Sequence, residues 1–167
     1  MDHTAVTLDA VDHRILAVLQ KNGRITFDEL AREVQLSSSA ALRRVRRLEE
    51  AGVIAGYAAI VPADKVGRRL TAYLRVQLDK PAGGSCRTAM EPFRSAVQGW
   101  PEVVECLVLS NDLEHLLRVE LEDMAHYQRF VLGSLMRHGS VLKCKTSFVI
   151  ERIKPDNGIC ASSNTPE

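Results

Sequence analysis

TFDELAREVQLSSSAALRRVRRLEE, Thr26 to Glu50, is the stretch whose reading decides the fold. Thr26 followed three positions later by Glu29 is a capping-box pattern, in which hydroxyl and carboxylate each satisfy a free backbone N–H at a helix start. It predicts a short helix from Phe27 to Val34. Gln35-Leu36-Ser37 leaves room only for a tight connection. Ser37, Ser38 and Ser39 then offer N-caps for a further helix that runs to about Glu50 and stops at Ala51-Gly52. Upstream, Val11, Ile15, Leu16, Val18 and Leu19 recur at helical spacing between Leu8 and Lys21, with Asp9 or Thr7 as cap and Asn22-Gly23 as stop. Three helices, the last two joined by a short turn, make a helix-turn-helix layout.

Downstream the pattern changes. Val53 to Val61 reads as an extended connector closed by Pro62. Leu70 to Leu78 alternates as a half-buried strand does, and Pro81 to Ser85 is a turn. Cys86 to Gln98 is helical, with Met90, Phe93 and Val97 on one face, and Gly99-Trp100-Pro101 breaks it. Val103 to Leu109 and Leu113 to Leu121 form a hairpin around Ser110-Asn111-Asp112. Asp123 caps a helix from Met124 to Arg137, and Val141 to Ile153 is a closing strand. The order βαββαβ is the ferredoxin-like split motif. The fold class is therefore α+β: a helix-turn-helix domain over residues 1–52, a strand hinge over 53–69, a ferredoxin-like domain over 70–153 and a polar tail over 154–167 that reads as disordered.

The third helix carries the chemistry. At 100° per residue, Leu42, Val45 and Leu48 form a stripe that can pack on the first two helices. Arg43 and Arg47 share the opposite face with Ser39, flanked by Arg44 and Arg46. Hydroxyls, free N–H groups and the dipole at the helix start favour a phosphate. Arginines farther along can fork onto guanine in the major groove or clamp the backbone. Ser37, Ser38, Ser39, Arg43, Arg44, Arg46 and Arg47 are the candidate DNA-binding residues.

Composition limits the alternatives. Of 167 residues, 46% are hydrophobic and 26% charged, enough to bury a core. Lysine and arginine number 22 against 21 acidic residues, a net +1 that excludes a global polyanion binder and requires any nucleic-acid site to be local. No apolar run has the length of a membrane helix and the start is no signal peptide, so a soluble, cytoplasmic protein is expected. Cys86, Cys106, Cys144 and Cys160 form no CxxC pair and lie apart from the histidines, which argues for free thiols and no metal.

The motifs LDxxDxxIL at Leu8 to Leu16, NGR at Asn22 to Arg24, RRV-x-RLE within the third helix and GVIxGY at Gly52 to Tyr57 resemble the N-terminal half of the Lrp/AsnC transcriptional regulators. The likeness continues through the βαββαβ half, over about residues 7 to 153. It implies a winged-helix-like DNA reader joined to an amino-acid-sensing domain, a homodimer, and rings up to an octamer, with no cofactor and no enzymatic activity. The resemblance also implies an effector site at the hairpin turn, where the family carries Ser/Thr-Gly-Asp/Glu-x-Asp. Here that turn reads Ser110-Asn111-Asp112-Leu113-Glu114, with Asn111 in the place of the glycine. Asn111, Asp112, Glu114 and Thr146 are the effector-binding candidates that follow, Asp112 and Glu114 as receivers of an α-ammonium. Asparagine keeps the turn accessible, but its amide fills space that glycine leaves for a ligand.

Two other classes stand beside this reading. Some haem-pathway decarboxylases resemble the same two-domain layout with an unused helix-turn-helix, but His3, His13, His115, His126 and His138 are scattered and no catalytic constellation stands out. A protein-binding sensor or adaptor without DNA binding is the other. His115 is expected as a partly exposed strand residue. The sheet's uncovered face is expected to present Leu70, Ala72, Leu74, Val76 and Leu116 to a second copy.

Overall fold

Asp9 starts the first helix. Its carboxylate accepts from the N–H groups of Val11 and Asp12, and the Asp12 side chain accepts the Asp9 N–H in return, so the box is reciprocal. In the computed structural model, which describes residues 7–79, 86–110 and 114–154 (backbone alone for 86–89), α1 spans Ala10–Lys21. Helix α2, Phe27–Val34, opens on the Thr26–Glu29 box, and α3, Ser38–Glu50, opens on Ser37. The turn between α2 and α3 is made by Gln35 at φ 58°, left-handed backbone taken without a glycine, with the Leu36 N–H returning to the Ala31 carbonyl. Ile15, Leu30, Ala31, Val34, Ala41, Val45 and Leu48 form the core of this unit.

The chain divides into two units, one reaching to Ala59 and the other from Ile60 to Ile153. The hinge expected as a strand forms none. Its backbone meets no partner strand among the described residues, and after Pro62 it winds into a 3-10 turn, Ala63–Val66, ended by Gly67 at φ 81°.

The second unit is a four-stranded antiparallel sheet in the order β2-β3-β1-β4, built from β1 (Leu70–Leu78), β2 (Val103–Val108), β3 (Glu114–Leu121) and β4 (Val141–Phe148). Helices α4 (Cys86–Gln98) and α5 (Met124–Phe130) supply Phe93, Val97 and Phe130 to its core. Ala72, Leu74, Val76 and Leu78 lie on that helix-covered face, paired with Val119, Leu117 and His115 of β3. This corrects the expected facing: Leu70, Ala72, Leu74 and Val76 serve the chain's own core. Tyr73, Arg75, Gln77, Leu116, Arg118, Lys143 and Lys145 occupy the other face. His115 is also corrected, being fully buried with its ring edge-on to Phe93, centroids 5.0 Å apart.

Two ends differ from expectation for local reasons. The helix after Asp123 keeps α pitch only to Phe130 and passes into a π turn over Val131–Leu135. Strand β4 stops at Phe148, opposite Ala72 of β1, and the last bond runs from the Val149 N–H to the Thr71 carbonyl. The Cys86 side chain and Cys160 fall outside the described residues, while Cys106 and Cys144 are free thiols. Among the described residues no helix is long and apolar enough to cross a membrane, and no group of His, Cys, Asp or Glu could hold a metal.

Candidate nucleic-acid interface

Helix α3 turns Ala41, Val45 and Leu48 inward, so Ala41 takes the core position expected of Leu42. Leu42 instead joins Ser39, Arg43, Arg46 and Glu50 on the outward side, along a shallow groove that Arg44 and Arg47 also line. The spacing of these residues (i, i+3, i+4, i+7, i+11) is one stripe of an α-helix.

The three serines have separate tasks. Ser37 is the N-cap, its hydroxyl accepting from the Ala40 N–H at 3.3 Å. Ser38 donates to the carboxylate of Asp28, tying the start of α3 to α2. Ser39 stands 3.2 Å from the Ser37 hydroxyl and lines the groove.

The four arginines also divide. Arg44 Nη1 lies 2.7 Å from Asp9 Oδ2 and 2.8 Å from Asp12 Oδ1, and Arg47 Nη2 lies 2.5 Å from Asp12 Oδ2. Arg43 and Arg46 are exposed and make no ion pair among the described residues. The Asp12 side chain is 1% exposed, so its charge is stabilised by these partners rather than by water. The Asp12 N–H and then the Arg44 guanidinium hold the Asp9 carboxyl down to about 2, and both aspartates push the Arg44 guanidinium up. The D-x-x-D spacing of Asp9 and Asp12 was visible in the sequence, but nothing there showed that it would gather arginines 32 and 35 residues away.

Beyond Gly52 at φ 69°, Tyr57 turns the chain back. Its hydroxyl donates to Glu49 Oε1 at 2.9 Å, and its ring packs where a side chain at Gly23 would touch it. Burial and the Glu49 carboxylate push the Tyr57 hydroxyl up to about 12.

In the sheet unit the effector candidates separate. Glu114 pairs with Gln77 on the open face and lies 3.4 Å from Arg75. Thr146 pairs with Leu74 on the helix-covered face, where it accepts from the Tyr127 hydroxyl at 2.9 Å. Strand parity places the two on opposite sides of the sheet, so a single pocket within one chain cannot take both. Asn111 and Asp112 lie outside the described residues.

Comparison with known proteins agrees with this architecture. Residues 8–55 match the family described as winged helix-turn-helix DNA-binding, and residues 71–159 match the Lrp/AsnC ligand binding domain. The chain belongs to the Lrp/AsnC family. It is 37% identical over 150 residues to the leucine-responsive regulatory protein of Klebsiella pneumoniae, covering 90% of this chain and 89% of that one. With the Rhizobium meliloti (strain 1021) protein of the same name it shares 38% over 149 residues, 89% of this chain and 93% of the relative. A transcriptional regulator of Neisseria meningitidis, solved as a complex with L-Met, superposes with a TM-score of 0.83 at 40% identity, covering 89% of this chain and 94% of that one. This Lrp/AsnC protein is thus a transcriptional regulator with a DNA-binding helix-turn-helix and a ligand-binding domain. These relatives are regulators.

Proposed function

We propose that this regulator reads double-stranded DNA with the outward stripe of α3, using Ser39, Arg43 and Arg46, and does so as a homodimer. The observation that carries the reading is the pair of exposed arginines without carboxylate partners among the described residues, one turn apart beside Ser39. Guanidinium groups so placed can fork onto phosphate or guanine. Genome-wide mapping of bound DNA tests it. Discrete sites that disappear with Arg43→Ala are expected; a wild-type protein that enriches no site refutes the reading.

The dimer would form through the open face of the sheet. Glu105 and Glu114 stand with Arg118 on its β2–β3 side, and Arg75, Lys143 and Lys145 on its β1–β4 side. A two-fold stack of such faces brings opposite charges together around Leu107, Leu116 and Tyr73. A monomeric mass in light scattering at micromolar concentration would exclude this arrangement.

The effector in this reading is a small amino acid or a relative of one, received at the turn around residues 110–114. Support comes from the family's ligand-binding domain and from the L-Met bound to the Neisseria protein. Asn111 adds an amide that costs ~1–3 kcal/mol if desolvated without a partner, so it should alter which ligand is accepted. A thermal-shift screen of the standard amino acids on the wild type and on Asn111→Gly decides the point. Identical ligands with identical stabilisation would show that Asn111 has no part in selection.

A further inference from the structure

We infer that Asp12 is a positioning residue that withholds Arg44 and Arg47 from DNA, leaving Arg43 and Arg46 as the arginines of α3 that contact it. The inference rests on the DNA-reading role proposed above for this helix. Three donors converge on the Asp12 carboxylate: Arg44 Nη1 at 2.8 Å, Arg47 Nη2 at 2.5 Å and the Asp9 N–H at 3.0 Å. The group is almost wholly buried, so a guanidinium that left it for a phosphate would take one of these three donors from a charge that water cannot reach. The phosphate offers the arginine only another anion, and the loss at Asp12 has nothing to offset it. Arg44 is held more firmly still, because Asp9 binds the same nitrogen at 2.7 Å.

Two consequences follow from this arrangement. The ion pairs fix α3 against the first turn of α1, so the aspartates set the attitude at which Arg43 and Arg46 are presented. They also halve the number of α3 arginines that are free to contact DNA. Each phosphate contact contributes ~0.9 to the slope of log affinity against log salt, so the withheld pair is measurable as a missing ~1.8 per head.

The test is the salt dependence of binding to a fluorescent duplex of random sequence, with circular dichroism confirming the fold of each variant. Arg43→Gln and Arg46→Gln should each flatten the slope by about 0.9 per engaged head. Arg47→Gln should leave the slope at the wild-type value, and Asp12→Asn, by releasing Arg47, should steepen it. An Arg47→Gln slope flattened as much as that of Arg43→Gln overturns the inference, and so does a folded Asp12→Asn protein with the wild-type slope. If Asp12→Asn does not fold, the comparison of Arg47→Gln with Arg43→Gln still decides. A wild-type protein that binds no duplex at low salt overturns the DNA-reading role as well, whereas binding with a flattened Arg47→Gln slope overturns the withholding alone.

Discussion

Truncating Leu48 to alanine should melt the helix-turn-helix unit and leave the sheet unit standing. Leu48 is completely buried in a small core, whose other large buried members among the described residues are Ile15, Leu30, Val34 and Val45. Removing a fully buried leucine side chain to Cβ costs ~2–5 kcal/mol, the upper part of the range applying where the site cannot collapse. A unit of this size has a total stability of roughly 3–8 kcal/mol, at about 0.05–0.15 kcal/mol per residue. The substitution therefore removes about a quarter of it or more. At about 4–8 °C per kcal/mol, a loss near 3 kcal/mol lowers the midpoint by roughly 12–24 °C. The molecule carries its own reporters. Its single tryptophan, Trp100, stands in the ring cluster of the sheet unit, edge-on to Phe93 and Phe130, so its fluorescence follows that unit. Far-ultraviolet circular dichroism is weighted towards the helices, of which α1, α2 and α3 contribute twelve, eight and thirteen residues. Leu48→Ala should add an early step in dichroism while the Trp100 transition stays in place. If both probes shift together, the two units do not melt separately and the reasoning is wrong.

Acid should act on the same unit through its caps. Asp9 is depressed from 3.8 to about 2 by the Asp12 N–H and Arg44, and Glu29 is depressed from 4.5 by the Thr26 N–H and hydroxyl. Both are lower folded than unfolded, so their stabilisation is complete above about pH 5 and is lost as pH falls, the Asp9 share between about 4 and 2. Asp9→Asn, which can still cap, should remove that share of the acid transition in dichroism. In a spectrophotometric titration of the three tyrosines, one phase should appear near pH 12 and vanish in Tyr57→Phe. Gln35→Gly should raise the midpoint of the helix-turn-helix unit, since a left-handed residue with a side chain costs ~1–2 kcal/mol that glycine avoids; an unchanged or lower midpoint would show that the Gln35 side chain compensates.

What could be read from the sequence was local. Thr26 and Glu29, or Asp9 and the N–H groups after it, are separated by less than one helical turn, so residue type and spacing determine the contact. The order of strands and helices in the second unit was legible for the same reason: each element carries its own period. Strand β1 shows where that stops. Its alternation correctly separates Ala72, Leu74 and Val76 from Tyr73, Arg75 and Gln77, yet alternation does not say which set lies under the helices. Both faces of β1 meet something other than bulk water if a second copy covers the open one, so polarity gave a weak cue. The partners of the arginine row are hidden in a related way. A helical wheel places Arg47 opposite the buried stripe, but the carboxylate that claims it comes from a helix 35 residues earlier. Ala41 and not Leu42 lies in the core, a choice the wheel cannot make because the two adjoin and either stripe could meet α1 and α2.

The π turn at Val131–Leu135 makes chain length negotiable at one point of the second unit. Phe130 and Leu135 are both buried, although five positions on an α-helix would set them about 140° apart. A π turn closes in five residues and brings both to the same side. Deleting Gly133, around which there is open space, would leave the two aromatic and aliphatic anchors four apart, the ordinary same-face interval of an α-helix. Everything beyond would keep its facing, including His138 against Trp100. The same deletion inside α3 would swing every later side chain by about 100° and turn Arg46 and Arg47 onto new faces. One helix of this protein can therefore lose a residue and keep its meaning, while another cannot.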